Sequence, residues 1–310
     1  MIALKFTWNP LTGIDLGFLT IHFYSLMFVV AFSLGYYLTK KVYNNEGIAQ
    51  EKLDSLFIYA VVSILIGARL GHVLFYQDEL LSEDPLSVFL PFRFNPEFEF
   101  TGFRGLASHG AFIVGMYGMY RYNKKVLKKS MLWVLDRVSI PVALGAVFVR
   151  LGNFFNSEMV GKITDSSLGI KFIQDEFTER RATAFTKIDN GKKALRALTE
   201  DPQYADVIAE IPYRYPGQLM EAAGYVIVFF IILYMYWKTK ASEKLGLLFG
   251  TFVLLLMGVR LIVENFKREQ VEGREDWILG LNTGQILSIP FILIGIYLVF
   301  TALNRKDKEA

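Results

Sequence analysis

The chain has 310 residues, 53% of them hydrophobic, and carries 33 lysines and arginines against 30 aspartates and glutamates. Its mean hydropathy of +0.34 and its repeated apolar runs exclude an ordinary soluble domain and place it among the all-α, polytopic membrane proteins. With no cysteine and only three histidines, it lacks disulfides, thiolate chemistry by its own side chains and Cys-based metal sites; no metal, cofactor or nucleic-acid partner is expected.

Seven apolar segments are long enough to span or nearly span a bilayer, at roughly 18–38, 55–76, 106–121, 132–156, 218–237, 245–264 and 284–303. Before the first, Met1 to Gly17 lacks a basic region followed by a short apolar core, so the first span is expected to stay in the membrane. The third segment is the shortest and holds Gly105, Gly110, Gly115 and Gly118. That composition suits a half-span or re-entrant element, which needs shielding by protein or water. Basic residues concentrate in alternate connections: Lys40, Lys41 and Lys52; Arg121, Lys124, Lys125, Lys128 and Lys129; Lys238, Lys240 and Lys244; and Arg305, Lys306 and Lys308 in the tail. The other short connections are poorer, with Lys5 at the N-terminus and Arg93 and Arg104 in the second loop. The positive-inside rule then puts the N-terminus outside and the C-terminus in the cytoplasm, as seven spans require. Residues 1–310 read as one integral-membrane domain. The polar stretch 162–213, between spans four and five, reads as a small extramembrane subdomain on the outer side, with helix near 192–209. No internal repeat is visible.

Polar residues within apolar segments mark candidate sites, because an ionisable group in lipid faces a bundle interior or a water-filled cavity. Tyr24 sits mid-segment and is either hydrogen-bonded or an interfacial tyrosine on a tilted helix. In Gly67-Ala-Arg-Leu-Gly71 the glycines allow close helix approach, but packing does not require Arg69, which should pair with a carboxylate or an anionic ligand. The small residues around His109 leave space for a substrate. An imidazole there either shuttles a proton or is simply hydrogen-bonded.

The densest stretch follows the apolar run Val138 to Val149: Arg150-Leu-Gly-Asn-Phe-Phe-Asn-Ser-Glu158, continuing to Gly161. If the helix continues, Arg150, Asn153, Ser157 and Gly161 share an arc of roughly 80°. Arg150 alone is consistent with snorkelling; Asn153, Asn156 and Glu158 beside it are not explained that way. In Arg260-Leu-Ile-Val-Glu264 the two charges share a face at i,i+4. They form either an internal ion pair or an arginine turned toward an anion with Glu264 orienting it. Guanidinium binds phosphate oxygens bidentately, and the membrane supplies phosphate as lipid headgroups. Arg69, Arg150 and Arg260 together therefore indicate a pocket for an anionic lipid in the outer half of the bilayer.

These motifs resemble, in order and over most of the chain, the prolipoprotein diacylglyceryl transferase family. Arg150 to Gly161 is similar to its long signature R-L-G-N-F-x-N-x-E-x-x-G. Gly67 to Gly71 with Phe75-Tyr76, Ser108-His-Gly110, Arg260 to Glu264 with Phe266 and Arg268, and Gly284-Gln-Ile-Leu-Ser288 support it. The resemblance implies an enzyme of the bacterial inner membrane with its site toward the periplasm and 162–213 as a periplasmic insertion. It also implies transfer of diacylglyceryl from phosphatidylglycerol to the cysteine thiol of a prolipoprotein lipobox, with release of glycerol-1-phosphate. Under it Arg150 and Arg260 match phosphate-binding arginines, Asn153, Glu158 and Gly161 signature positions, Tyr24 a first-span tyrosine and His109 a histidine proposed as base. Tyr215-Pro-Gly-Gln-Leu219 departs from the family's H-P-x-Q-x by replacing the histidine, and 162–213 is longer than in many members. A transporter or flippase for an anionic lipid or metabolite would use the same arginines, but it predicts repeats and paired helix breaks.

Overall fold

The computed structural model describes residues 5–16, 20–88, 90, 92–95, 98–100, 107–268 and 280–305. Arg104, Gly105, Lys306 and Lys308 lie outside the described residues. Short strands β1 (Phe6–Trp8), β2 (Gly13–Asp15) and β3 (Thr20–His22) precede helices α1 (Phe23–Asn45) and α2 (Gln50–Tyr76). A single turn, α3 (Leu80–Glu83), a 3-10 turn (Pro85–Val88) and the hairpin β4 (Phe92–Arg93)–β5 (Glu99–Phe100) lead to α4 (Ser108–Tyr122) and α5 (Met131–Phe155). After β6 (Ile170–Phe172) come α6 (Ile173–Glu176), α7 (Glu179–Thr186), α8 (Gly191–Glu200), α9 (Ala205–Glu210), α10 (Gly217–Lys238), α11 (Leu247–Val263) and α12 (Thr283–Asn304).

Every predicted apolar segment coincides with a helix. Among the described residues, α2, α5, α10, α11 with its 3-10 extension to Phe266, and α12 are long and apolar enough to cross a membrane. The other two expected spans differ for separate reasons. Helix α1 has 23 residues, but Tyr36, Tyr37, Thr39, Lys40 and Lys41 dilute its apolar face. Helix α4 has 15 residues, about 22 Å at 1.5 Å per residue, and runs on as a π-helical turn, Asn123–Leu127, whose Asn123, Lys124 and Lys125 end the apolar run short of a hydrocarbon core of about 30 Å.

By its internal contacts the chain divides into two compact units, Met1–Leu38 with Asp136–Ala310, and Thr39–Leu135. In the second unit α2 packs against α4 through glycines. A Cβ on Gly71 would lie 2.8 Å from the Gly110 Cα, and one on Gly67 would meet the Gly110 carbonyl. The G-x-x-x-G motif is thus a backbone-to-backbone contact, and Gly110 is filled by α2 instead of leaving substrate space beside His109.

In the first unit, Val147, Ala222 and Tyr225 pack with Leu151, Leu256 and Val259 to join α5, α10 and α11. Below them Phe154, Val160, Ile170 and Phe172 form a second cluster with Trp8 and Leu219. Trp8 stacks on Phe154 with ring centroids 4.3 Å apart and donates its indole N–H to the Phe154 carbonyl at 2.9 Å. Strand β1 pairs in parallel with β6, so the N-terminal segment is fastened to the end of α5. The stretch 162–213 has its own core of Ile173, Ala182, Ala194, Leu195, Leu198 and Ile211. Helix forms there at α8 and α9, where the alanine- and leucine-rich sequence predicts it. Thr178 and Asn190 cap α7 and α8 by accepting from the Arg181 and Lys193 amides.

Candidate active site

The site is built from the end of α5. The helix stops at Phe155 because the next residues form a Schellman turn. Ser157 N–H donates to the Phe154 carbonyl at 3.0 Å, Glu158 N–H donates to the Asn153 carbonyl at 2.9 Å, and Ser157 takes a left-handed φ of 53°. Glycine is the usual residue at that position; a serine stores strain of the kind found at functional sites. Met159 repeats the left-handed conformation at φ 58°. Only Arg150 and Asn153 of the four residues expected on one helical arc therefore share the helix. Ser157 and Gly161 lie beyond its end.

That turn folds the signature back on itself. Arg150 Nη1 donates to Asn153 Oδ1 at 3.3 Å, and Asn153 Nδ2 donates to Glu158 Oε2 at 3.2 Å. Asn156 Nδ2 donates to Glu158 Oε1 at 3.1 Å. The two asparagines thus hold the carboxylate of Glu158, while Asn153 also holds Arg150. From α10, Gln218 Nε2 donates to the Glu158 carbonyl, fixing the turn against that helix.

Charge continues inward along α10 and α11. Arg150 Nε lies 2.8 Å from Glu221 Oε2, and the Glu221 side chain is fully buried. Lys267 Nζ lies 2.9 Å from Glu221 Oε1 and 3.1 Å from Glu264 Oε2, with Lys267 itself buried. Tyr225 lies beside Arg150, its ring centroid 6.0 Å from Cζ, and donates its hydroxyl to Glu221 Oε1 at 3.4 Å. The result is a chain of ion pairs, Arg150–Glu221–Lys267–Glu264. Buried charges are tolerated when they are paired, and each carboxylate and cation of this ion-pair chain has an opposite charge within 3.1 Å.

Arg260 is the exception. Its Nε is buried and has no hydrogen-bond acceptor among the described residues. Glu264 does not take that role: α11 ends at Val263, Glu264 opens a 3-10 turn (Glu264–Phe266), and its carboxylate fills a notch at Gly284. A Cβ on Gly284 would lie 2.9 Å from Glu264 Cγ and closer still to its carboxyl group. The i,i+4 pair open in the sequence is therefore not formed among the described residues. Gly284-Gln-Ile-Leu-Ser288 supports the same corner. Asn282 and Gln285 form a capping box at the start of α12, and Asn282 Nδ2 donates to the Glu264 carbonyl at 3.2 Å.

Tyr24 is in the first turn of α1, not mid-span, because the chain before it forms β3. Its ring lies against α5 at Gly152, where a Cβ would come within 2.8 Å of Tyr24 Cδ2; the glycine of R-L-G-N makes room for the tyrosine. Gly161 donates to the Tyr215 carbonyl at 2.8 Å while Lys162 donates to that of Phe266 at 2.8 Å, so the signature, the start of α10 and the end of α11 meet there. Tyr215, in place of the family's histidine, sets its ring edge-on to Phe266 at 5.1 Å.

The remaining two candidates belong to the second unit. Arg69 Nε donates to the Val88 carbonyl at 3.1 Å and Nη2 to the Ser87 carbonyl at 2.8 Å. These acceptors are backbone groups of the 3-10 turn. The same loop is tied by Asp84, which accepts from the Ser87 hydroxyl and from the amides of Phe94 at 2.7 Å and Asn95 at 3.2 Å; these donors hold its carboxyl below the usual carboxylate range. His109 stands in the first turn of α4 with its side chain exposed.

Glu221 and Lys267 escape the sequence reading. A glutamate inside the apolar run of α10 carries the signal that singled out Arg150, whereas Lys267 looks like a loop residue until the fold buries it. No group of three or more metal-binding side chains occurs among the described residues.

Long apolar helices around a buried ion-pair chain, with the Arg260 Nε left without an acceptor among the described residues, are the build of a polytopic membrane protein. The sequence pattern described as prolipoprotein diacylglyceryl transferase matches residues 12–301, and the chain belongs to that family. It is 33% identical over 303 residues to the phosphatidylglycerol–prolipoprotein diacylglyceryl transferase of Tolumonas auensis, covering 97% of this chain and 99% of that one. The enzymes of the same name from Chloroherpeton thalassium and Bacteroides fragilis are 32% identical over 295 residues and 31% identical over 309. Those matches cover 95% of this chain and 93% of the Chloroherpeton protein, and 99% of this chain and 98% of the Bacteroides protein.

Proposed function

We propose that this protein transfers the diacylglyceryl group of phosphatidylglycerol to the lipobox cysteine of a prolipoprotein, releasing glycerol-1-phosphate. Family membership supports the reaction, and the observation that carries the chemistry is Arg260, whose buried Nε lacks an acceptor among the described residues. A buried charged donor without an acceptor is costly, and a phosphate oxygen satisfies it.

The substrate thiolate attacks the diacylglyceryl carbon that bears the phosphate ester. A C–S bond forms, the C–O bond breaks, and both electrons leave on glycerol phosphate. Negative charge grows on the phosphate oxygens as that bond breaks. Arg150, locked by Glu221 and Asn153, and Arg260 stabilise it as preorganised donors, each worth on the order of 10²–10³ in rate. His109 takes the thiol proton; a free thiol has a pKa of about 8.5, so a base raises the thiolate population. Tyr24, Asn153, Asn156 and Glu158 line the headgroup side, Glu264 orients the α11 end, and Arg69 fixes the second loop.

The enzyme spans the bacterial inner membrane with its N-terminus periplasmic, its C-terminus cytoplasmic, the site toward the periplasm and 162–213 as a periplasmic insertion. The alternation of basic connections supports that orientation. The test mixes purified protein with phosphatidylglycerol vesicles and a lipobox peptide. A diacylglyceryl mass gain on the cysteine is the expected result; lipid movement across the vesicle without that gain overturns the reading in favour of transport.

A further inference from the structure

We propose that Lys267 is a positioning residue that keeps Arg260 free for phosphate by neutralising Glu264. The proposal rests on the transferase reading above. Arg260 and Glu264 stand four residues apart, the spacing at which opposite charges on a helix ordinarily pair. Their pairing is prevented in two ways. The chain switches to a 3-10 turn at Glu264, and the carboxylate lodges at Gly284 within 3.1 Å of Lys267 Nζ. Lys267 is 3% exposed and reaches Glu221 as well, so its one charge sits between both carboxylates. Arg150 then answers Glu221 on its other oxygen, and Arg260 is left with no carboxylate among the described residues. Without the lysine, a buried Glu264 must find another cation. Arg260, four residues back on the same segment, is one such cation, and a carboxylate on its Nε takes the open donor that a phosphate oxygen would otherwise fill.

Four proteins test this: wild type, Lys267→Met, Glu264→Gln and the double variant, with Lys267→Arg as the conservative control. The readouts are kcat and KM for phosphatidylglycerol and for a lipobox peptide, and binding of glycerol-1-phosphate. Lys267→Met is expected to weaken glycerol-1-phosphate binding and lower kcat/KM for phosphatidylglycerol by about 10²-fold, the scale of one preorganised donor, with the peptide KM unchanged. Adding Glu264→Gln removes the competing carboxylate and is expected to return glycerol-1-phosphate binding to within a few-fold of the Glu264→Gln single variant. Lys267→Arg retains near-wild-type binding. Should Lys267→Met fail to fold, the comparison of the double variant with Glu264→Gln still decides. A double variant binding at least tenfold more weakly than Glu264→Gln overturns the proposal, because a purely structural lysine gives independent losses without rescue. Full activity in Arg260→Gln would instead sink the phosphate-clamp reading itself, whatever Lys267 does.

Discussion

Gly161→Ala separates an architectural glycine from one that touches substrate. A Cβ at this position would lie 2.5 Å from the Tyr215 carbonyl oxygen and 2.6 Å from that of Phe266. Ordinary contact starts at 3.4 Å, so each carbonyl must retreat by about 0.8–0.9 Å in an interior packed as densely as a crystal. Those carbonyls accept from Gly161 and Lys162, and both belong to backbone that cannot rotate away like a flexible side chain. Overpacking of this kind costs about 1–3 kcal/mol, and two strained hydrogen bonds add about 0.5–1.5 kcal/mol each if broken. A destabilisation of about 1.5–4.5 kcal/mol follows if one of the two bonds is lost. Phe266 directly precedes Lys267, so the displacement is passed to the ion-pair chain; misplacement near 1 Å costs on the order of 10²-fold in rate. The assay compares kcat at saturating phosphatidylglycerol and the thermal unfolding midpoint of wild type and Gly161→Ala. A lowered midpoint with kcat down about 10²-fold is expected. A variant with wild-type midpoint and kcat but a raised KM would refute the packing argument and make Gly161 a direct substrate contact.

If His109 is the base, His109→Gln depresses the rate most at low pH and is partly rescued as pH rises, because thiolate formed in solution no longer needs it; a profile parallel to wild type across roughly pH 6 to 9 would end that role. Single cysteines near Asn190, introduced into a chain that has none, should react with membrane-impermeant reagents from the periplasmic side, and labelling only from the cytoplasm would overturn the topology. The hydrogen bonds from Ser87, Phe94 and Asn95 hold Asp84 below the range of an unfolded aspartate, so its contribution to the loop is complete above that range and is lost as pH falls through the lower folded value. Asp84→Asn should therefore speed amide exchange at Phe94 and Asn95 at neutral pH, whereas unchanged exchange would remove Asp84 as the loop's anchor.

The helices were legible because hydrophobic runs of 15 to 27 residues report burial in lipid through composition alone. Where a helix stops is written less clearly. Nothing marks Phe155 as the last residue of α5, because the left-handed position that ends it holds Ser157 instead of glycine. Arg150, Asn153 and Glu158 were readable as one group because they are neighbours in the chain. Glu221 and Lys267 complete that group across 46 residues, and no local pattern predicts which carboxylate a buried lysine reaches. The Arg260–Glu264 pair shows the converse: helical spacing favoured a contact that a change of helix type and a notch at Gly284 prevent. Arg69 was recognised as needing a partner, but its carbonyl acceptors belong to a loop with no sequence signature.

The phosphate clamp is tested most directly by the kcat of Arg150→Lys, measured with phosphatidylglycerol and a lipobox peptide at matched amounts of folded protein. In the wild type one guanidinium holds Glu221 through Nε at 2.8 Å and Asn153 through Nη1 at 3.3 Å. Lysine keeps the charge but is a point charge on a flexible stem, without the planar fork that bonds carboxylate, amide and phosphate together. The account predicts a loss on the order of 10²–10³ in kcat. Turnover within a few-fold of wild type would contradict it.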